Sequence, residues 1–269
     1  MRRLGLLAFG AAAAAATAVI VGAPAARAAD LPVAPPVHGP NYFPAIYDWS
    51  GVYAGLSLGV AGLRDEATET LTILQLAGSQ AQVSGIGEVF GGQVGGNYQF
   101  GPWVAGVEAW WSKSTISEWA LGNTLFLNTL ERTQSAPRWY ATATGRFGYA
   151  FQDVLVYGKG GLAWMNVNYT LQTQNAANGG GVVSIAPGIA DTRMGFVAGV
   201  GLEYGITQEI SAKLEYDFMD FGTKSYNFGN LAAIGVGPLP VVPVSFESVT
   251  HMVTLQLNYR FYWGGGAHY

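Results

Sequence analysis

From position 48 onward, apolar residues recur at every second place. In 211–218, SAKLEYDF, the residues Lys213, Glu215 and Asp217 alternate with Leu214, Tyr216 and Phe218. Successive side chains of a strand point to opposite faces, so this segment predicts a strand with one charged and one apolar face. In 49–62 the apolar set is Val52, Ala54, Leu56, Leu58 and Val60, and Gly51, Tyr53, Gly55, Ser57 and Gly59 fill the places between. Runs of the same period lie near 86–100, 103–118, 138–151, 154–171, 193–206, 209–224 and 248–261, which makes eight strands in all. The links between them alternate in length. Those at 100–103, 151–154 and 206–209 are tight, and those near 63–85, 119–137, 172–192 and 225–247 are long.

This rhythm predicts an all-β fold, an eight-stranded antiparallel transmembrane β-barrel with short periplasmic turns and long extracellular loops. Aromatics fall into two matching groups. Trp49, Tyr98, Phe100, Trp103, Tyr149, Phe151, Tyr204, Tyr259 and Phe261 lie beside the tight links, and Trp111, Trp139, Trp164, Phe196 and Phe218 toward the long ones. Two such belts suit the two interfaces of a bilayer. Composition points the same way, with 38 Gly, 14 Tyr, 13 Phe and 8 Trp but only 11% charged residues. Beyond the N-terminal region no stretch reaches the roughly 18 apolar residues of a membrane helix. A closed barrel is then the membrane solution that satisfies the backbone.

The N-terminus reads as a targeting segment. Arg2 and Arg3 precede an apolar run over 4–25, and Ala26-Arg27-Ala28 has small residues where a signal peptidase needs them. The expected divisions are a signal peptide at 1–28, a Pro-rich periplasmic spacer at 29–47, the barrel at 48–261 and a C-terminal extension at 262–269. The mature chain would keep 10 of 13 basic and all 17 acidic residues, a formal charge of −7. That sign argues against a nucleic-acid partner. The absence of cysteine leaves no disulfide framework or thiolate metal site.

With the apolar set facing lipid, alternation sends Glu108, Arg146, Lys159, Glu203, Lys213, Glu215, Asp217 and Arg260 into the lumen, four basic and four acidic groups. Gln93, Asn97, Thr142, Thr144, Gln256 and Asn258 join them. The interior of an eight-stranded barrel is about wide enough for side chains to fill it. Balanced charges there can pair, which is the condition for burying them. The cluster reads either as a polar core that closes the barrel or as the lining of a narrow ion path. Glu88 falls on the lipid face by strict alternation, so it belongs at the outer rim unless a bulge near 85–87 shifts the register.

The segments DWSGVYAGLSLG, GGQVGGNYQFGPWVAGVEA, ATGRFGYAFQDVLVYGKGGLAW, GFVAGVGLEYGITQEISAKLEYDFMDFG and VTLQLNYRF, with the ADLP start of the mature chain, resemble small outer-membrane β-barrel proteins of the RopB type. These belong to the OmpA-like eight-stranded barrel superfamily. The resemblance implies an integral protein of a Gram-negative outer membrane, a porin-family surface antigen, with no catalytic residues to carry over. It also implies a C-terminal aromatic read by the barrel-assembly machinery. Tyr259 and Phe261 fit that signal; either Tyr269 takes the terminal role or 262–269 is an appended extension.

Enzyme chemistry is not expected. The histidines are His38 in the spacer, His251 on the lipid side of the last strand and His268 in the tail, and none has an evident nucleophile or metal-ligand spacing. No cofactor is implied. Asp65, Glu66 and Glu69 could gather divalent cations, although a solvated loop face explains them as well. Arg64, Lys113, Arg132, Arg138, Arg193 and Lys224 lie toward the long links, where lipopolysaccharide phosphates could pair with them. The link at 228–246 is unusually apolar, which predicts that it folds over the barrel mouth or meets a surface partner. The expected role is structural and surface-presenting, with a lumen closed by charge pairs. The alternative is a narrow porin-like channel for ions or small solutes. A soluble, lipocalin-like barrel would need the opposite pattern, apolar inside and polar outside.

Overall fold

The computed structural model describes residues 47–69, 80–121, 129–175, 181–185, 188–228, 231–233, 237–239 and 242–261. The expected signal peptide, nearly all of the spacer, His38, and the tail with His268 and Tyr269 lie outside the described residues. Twelve strands follow in order: β1 (Gly51–Glu69), β2 (Gln80–Phe100), β3 (Trp103–Ser114), β4 (Glu118–Leu121), β5 (Thr129–Phe151), β6 (Val154–Asn175), β7 (Gly181–Ile185), β8 (Ile189–Gly205), β9 (Ile210–Phe228), β10 (Leu231–Ala233), β11 (Gly237–Leu239) and β12 (Val242–Phe261). Eight of them, β1-β2-β3-β5-β6-β8-β9-β12, close an antiparallel ring. β4 adds to the outer part of β5, β7 to that of β6, and β10 pairs with β11.

The register fixes the barrel's geometry. From Ala61, partners run through Met252, Asp217, Gly199, Lys159, Arg146, Gly106 and Asn97 and return to β1 at Gly51, a shear of ten residues. Eight strands with that shear are tilted by about 45°. The line lies on the lumen side, which is why charged residues from distant parts of the chain become neighbours there. Tight turns close the inner end, with Gly101 (φ 60°) and Gln152 (φ 56°) both in the left-handed region.

The outer wall is apolar where the eight predicted runs lie. Leu56, Leu58, Val94, Val107, Val200, Leu214, Leu255 and Leu257 are exposed there. Tyr98, Phe100, Trp103, Phe151, Tyr204, Tyr259 and Phe261 girdle one end, and Trp111 and Phe196 the other. Trp49 departs from the expected girdle and is buried inside the inner mouth. Glu88 is exposed at the outer rim, and the β1–β2 register runs unbroken past Gly85 and Gly87, so no bulge moves it.

The strands are longer than a membrane requires. β5 has 23 residues and β6 has 22, against about 10 for a tilted crossing. Much of what the sequence reads as long loops is therefore strand. Beyond the apolar band the ring also splits. β2–β3 pairing ends at Val89 and Ser114, and β8–β9 pairing ends at Phe196 and Asp220, while β1–β12, β9–β12 and β5–β6 run on. Two sheets result, one of β9, β12, β1 and β2, the other of β4, β5, β6, β7 and β8. They face each other across an apolar core, as in a sandwich. Leu63, Phe221, Phe228, Val244 and Phe246 meet Tyr140, Met165, Tyr169 and Leu171 in it, and Tyr169 stacks on Phe246 with ring centroids 4.1 Å apart. Phe228, Val244 and Phe246 account for part of the apolar 228–246 link: they fill the interior.

Candidate functional site

Among the described residues, the lumen gathers most of the buried polar chemistry, and it is built in three layers. At the inner mouth, Tyr47 and Trp49 tuck into the barrel with ring centroids 4.4 Å apart. Arg260 lies over both rings at 4.7 and 5.2 Å, and its guanidinium donates to the Asp48 carbonyl. The backbone N–H of Trp49 donates to Gln99 at 2.7 Å. Of the eight predicted lumen charges, Arg260 thus stands apart from the rest and holds this plug.

The middle layer rests on a repeat. Adjacent lumen positions read Tyr53–Gly95–Glu108–Thr144 across β1, β2, β3 and β5, and Tyr157–Gly201–Glu215–Thr254 across β6, β8, β9 and β12. The two rows are half a barrel apart. Gly95 and Gly201 give each tyrosine its room, since a Cβ at either would meet the phenol oxygen. Each hydroxyl donates to the glutamate of its own row, Tyr53 to Glu108 at 2.7 Å and Tyr157 to Glu215 at 2.5 Å.

Three cations tie the rows together. Lys213 reaches Glu108 at 2.5 Å and Glu215 at 3.5 Å, one carboxylate from each row. Arg146 lies between the two tyrosine rings, 4.7 Å from Tyr53 and 5.1 Å from Tyr157, and pairs with Glu203 at 3.1 Å. Lys159 pairs with Glu215 and, at 2.9 Å, with Asp217. Neutral groups fill remaining sites: Ser211 and Asn258 donate to Glu203, Gln256 to Glu215, Gln93 to Asn258, and Arg146 Nε to Asn97. Thr142 and Thr144 are buried in the same layer. Desolvating so many charges is tolerable only when each keeps partners of opposite sign or hydrogen-bonding groups.

The outer layer, inside the sandwich, corrects two expectations. Asp65 does not lie on an exposed acidic loop. It is buried on the inward face of β1 and accepts from Ser135, while Glu66 points outward and pairs with Arg64 at 2.7 Å. Alternation separates the two acids, so they do not converge on a cation; the Glu69 side chain is outside the described residues. Arg193 is likewise no lipopolysaccharide contact. It is 2% exposed, donating to Tyr169 at 3.0 Å, to Ser248 at 2.7 Å and to the carbonyls of Phe221 and Gly222. Those carbonyls lie where β8 parts from β9 and where a register shift leaves Phe221 and Gly222 without partners on β12, and Arg193 latches that seam. Burial pushes the Asp65 carboxyl above its ordinary value, although hydrogen bonds from Ser135 and Ser248 and the charge of Arg193 oppose this. Outside the seam, Lys224 pairs with Asp191 at 2.6 Å. Slight burial would raise the Asp191 carboxyl, but Lys224 and Tyr226 outweigh it and hold it below the usual range.

Other named residues sit on the outer surface. Arg132 is half-buried over the Trp119 ring at 5.1 Å, and Lys113 and Arg138 are exposed. His251 points outward, and its Nδ1 lies 2.8 Å from the Tyr216 hydroxyl. Tyr259 and Phe261 face outward at the end of β12. Sequence reasoning missed the twin tyrosines, although their places among the small and polar positions were a usable signal. It misplaced Asp65, which stood in a segment read as loop, and Arg193, which opened a predicted strand and was read as part of the outer rim.

The OmpA-like transmembrane domain family matches residues 48–265. A 31 kDa outer-membrane immunogenic protein of Brucella melitensis is 30% identical over 89% of this chain and 95% of its own length. A 22 kDa outer membrane protein of Rhizobium leguminosarum bv. viciae is 30% identical over 51% of this chain and 56% of its own. Among solved structures, the outer membrane protein OprG of Pseudomonas aeruginosa matches with a TM-score of 0.53 at 13% identity, covering 80% of this chain and 97% of that one. Ring, apolar band, aromatic girdles and relatives agree: the chain belongs to the OmpA-like transmembrane domain family and is an outer-membrane β-barrel.

Proposed function

We propose that this barrel is a structural, surface-presenting protein of the outer membrane whose lumen is sealed against ions. One observation carries the reading. The charged layer, with Arg146, Lys159 and Lys213 each buried against carboxylates, lies between the Tyr47–Trp49 plug below and the apolar core above. An ion crossing that path would have to break paired charges and then enter an apolar layer, where an unpaired charge is very costly. The long outer strands lift their loops clear of the membrane, which suits presentation; the Brucella relatives are named immunogenic. Catalysis forms no part of the proposal, since His251 faces lipid beside Tyr216. Tyr259 and Phe261 are proposed to serve the barrel-assembly machinery, and the segment around β10 and β11 to meet a surface partner.

Single-channel conductance of the mature protein in planar bilayers tests this, once heat-modifiable gel mobility shows that it has inserted. Silence is expected. Reproducible steps that vanish when Arg146 or Lys213 is replaced would make the lumen a narrow pore instead.

A further inference from the structure

The lipid-facing wall is not uniform. On β3, β5 and β6 the register aligns outward residues in rows. From the outside inward these are Lys113–Trp139–Asn166, Trp111–Ala141–Trp164, Ala109–Ala143–Leu162, Val107–Gly145–Gly160 and Ala105–Phe147–Gly158. Two tryptophans flank Ala141, and below them the wall recedes into a groove of about 740 Å³ walled by Phe147, Val200 and Tyr216 over a floor that includes Gly145, Gly158 and Gly160.

Two cations stand above this groove, in the outermost of these rows. The register of β5 shifts between Pro137 and Trp139, and the extra residue puts Arg138 on the outer face beside Trp139. Lys113 is the register partner of Trp139 on β3. With the Asn168 amide turned so that its oxygen faces the guanidinium, it accepts from Arg138 at 2.6 and 3.3 Å, fixing one edge and leaving Nη1 for another acceptor. Lys113 has no ion pair among the described residues. The acid Glu88 lies across β3, on the side away from Arg138.

The dimensions match one leaflet. Trp139 to Gly145 spans about 20 Å at ~3.3 Å per residue. On a strand tilted by about 45° that is about 14 Å of depth, roughly half of a ~30 Å hydrocarbon core. Cations above, tryptophans at the interface and a smooth apolar channel beneath fit an amphiphile with a phosphorylated head.

We propose that this face holds one resident lipid A, the phosphorylated glycolipid of the outer leaflet. Its phosphate sits between Lys113 and Arg138, and one acyl chain runs down over Ala141 and Ala143 to end in the groove beside Gly145. Charge-assisted hydrogen bonds hold the phosphate, and the exposed ring of Trp111 offers a face to the sugar. The proposal rests on the outer-membrane placement and is independent of whether the lumen conducts.

The test uses the full mature barrel refolded in lipid-free detergent. It is titrated with bisphosphorylated lipid A, with the dephosphorylated glycolipid and with phosphatidylglycerol, and bound lipid is counted by native mass spectrometry. The wild-type barrel is expected to retain one lipid A and little of the other two. Replacing Lys113 and Arg138 together with alanine should weaken retention about tenfold or more, as loss of two charge-assisted contacts would. Gly145→Leu should weaken it with both cations intact, because its new Cβ meets nothing within 4 Å and the side chain fills the groove without disturbing the fold. Gly96→Leu, outward on β2 and away from the groove, should change nothing. Heat-modifiable mobility checks that every variant is folded. Lipid A retention unmoved by these substitutions, or equal retention of phosphatidylglycerol, overturns the proposal.

Discussion

Along β6 the same alternation serves two opposite ends. In its inner half Tyr157 and Lys159 face the lumen, and Val156, Gly158 and Leu162 face out. In its outer half Met165, Val167, Tyr169 and Leu171 face in, and Asn166, Asn168 and Thr170 face out. The period never changes; the polarity inverts. The difference lies in what surrounds the barrel. Where lipid surrounds it, the apolar set goes outward and the lumen receives what lipid rejects. Where water surrounds it, the apolar set goes inward for the ordinary hydrophobic reason. Lipid gives apolar residues no incentive to leave it, so the inner tier must cohere through hydrogen bonds and ion pairs. The outer tier coheres through buried apolar area and closely resembles the soluble barrel that the inner half excludes.

If that contrast is right, the largest single loss comes from removing one charge of the inner tier. Lys213→Met leaves Glu108 and Glu215 without their shared cation. Stranding a buried partner costs about 3–5 kcal/mol. Urea unfolding in lipid vesicles should therefore show a large fall in midpoint, and amide exchange should rise throughout the ring because this layer ties both halves of the barrel. Adding Glu108→Gln should restore a substantial part, since the stranded charge is then gone. A Lys213→Met barrel as stable as the wild type would mean that the charges contribute nothing to closure.

Phe246→Ala tests the outer tier. The ring is fully buried against Tyr169, Tyr226 and Phe228. The loss should be about 3 kcal/mol, the lower end for a buried phenylalanine, because the two sheets can relax toward one another. Its signature is local. Exchange should rise over 244–250 and 165–171 and stay unchanged over 53–57 and 211–217. A uniform rise would mean that the barrel unfolds as one unit and the two tiers are not energetically distinct.

The ring of eight strands, its tight turns and its inward charges were legible because period-two alternation in a charge-poor chain admits few solutions. The outer tier was not, for an identifiable reason. Holding the apolar set on the outside, as lipid requires, turns Leu63, Val244 and Phe246 into loop residues, since they fall on the wrong face. Only the unchanged period beneath the inverted polarity marks them as strand. Trp49 misled in the same way: an aromatic beside a tight turn reads as girdle, and nothing local says that the chain enters the lumen there. Arg193 and Asp65 depend on pairings between β1, β5, β8, β9 and β12, and such long-range partners leave no trace in local pattern.

Asp65 gives the smallest of the three effects and the most specific. It is the carboxylate enclosed in the apolar tier, and burial raises its pKa above that of the unfolded chain. The folded state then holds its proton at pH values where the unfolded state has released it. Its contribution is therefore most favourable below the ordinary carboxylate range of about 3.9 and is lost as pH rises through the raised value. Amides near Leu63, Ala67 and Ser135, corrected for intrinsic exchange, should accordingly be better protected at acidic pH than at neutral pH. Asp65→Asn keeps a hydrogen-bonding group for Ser135 but cannot ionise, so it should flatten the pH dependence and leave neutral-pH protection at least equal to that of the wild type. Identical pH profiles for the two proteins would mean that Asp65 does not titrate within the folded outer tier and that Arg193, through Ser248, already satisfies it as an anion.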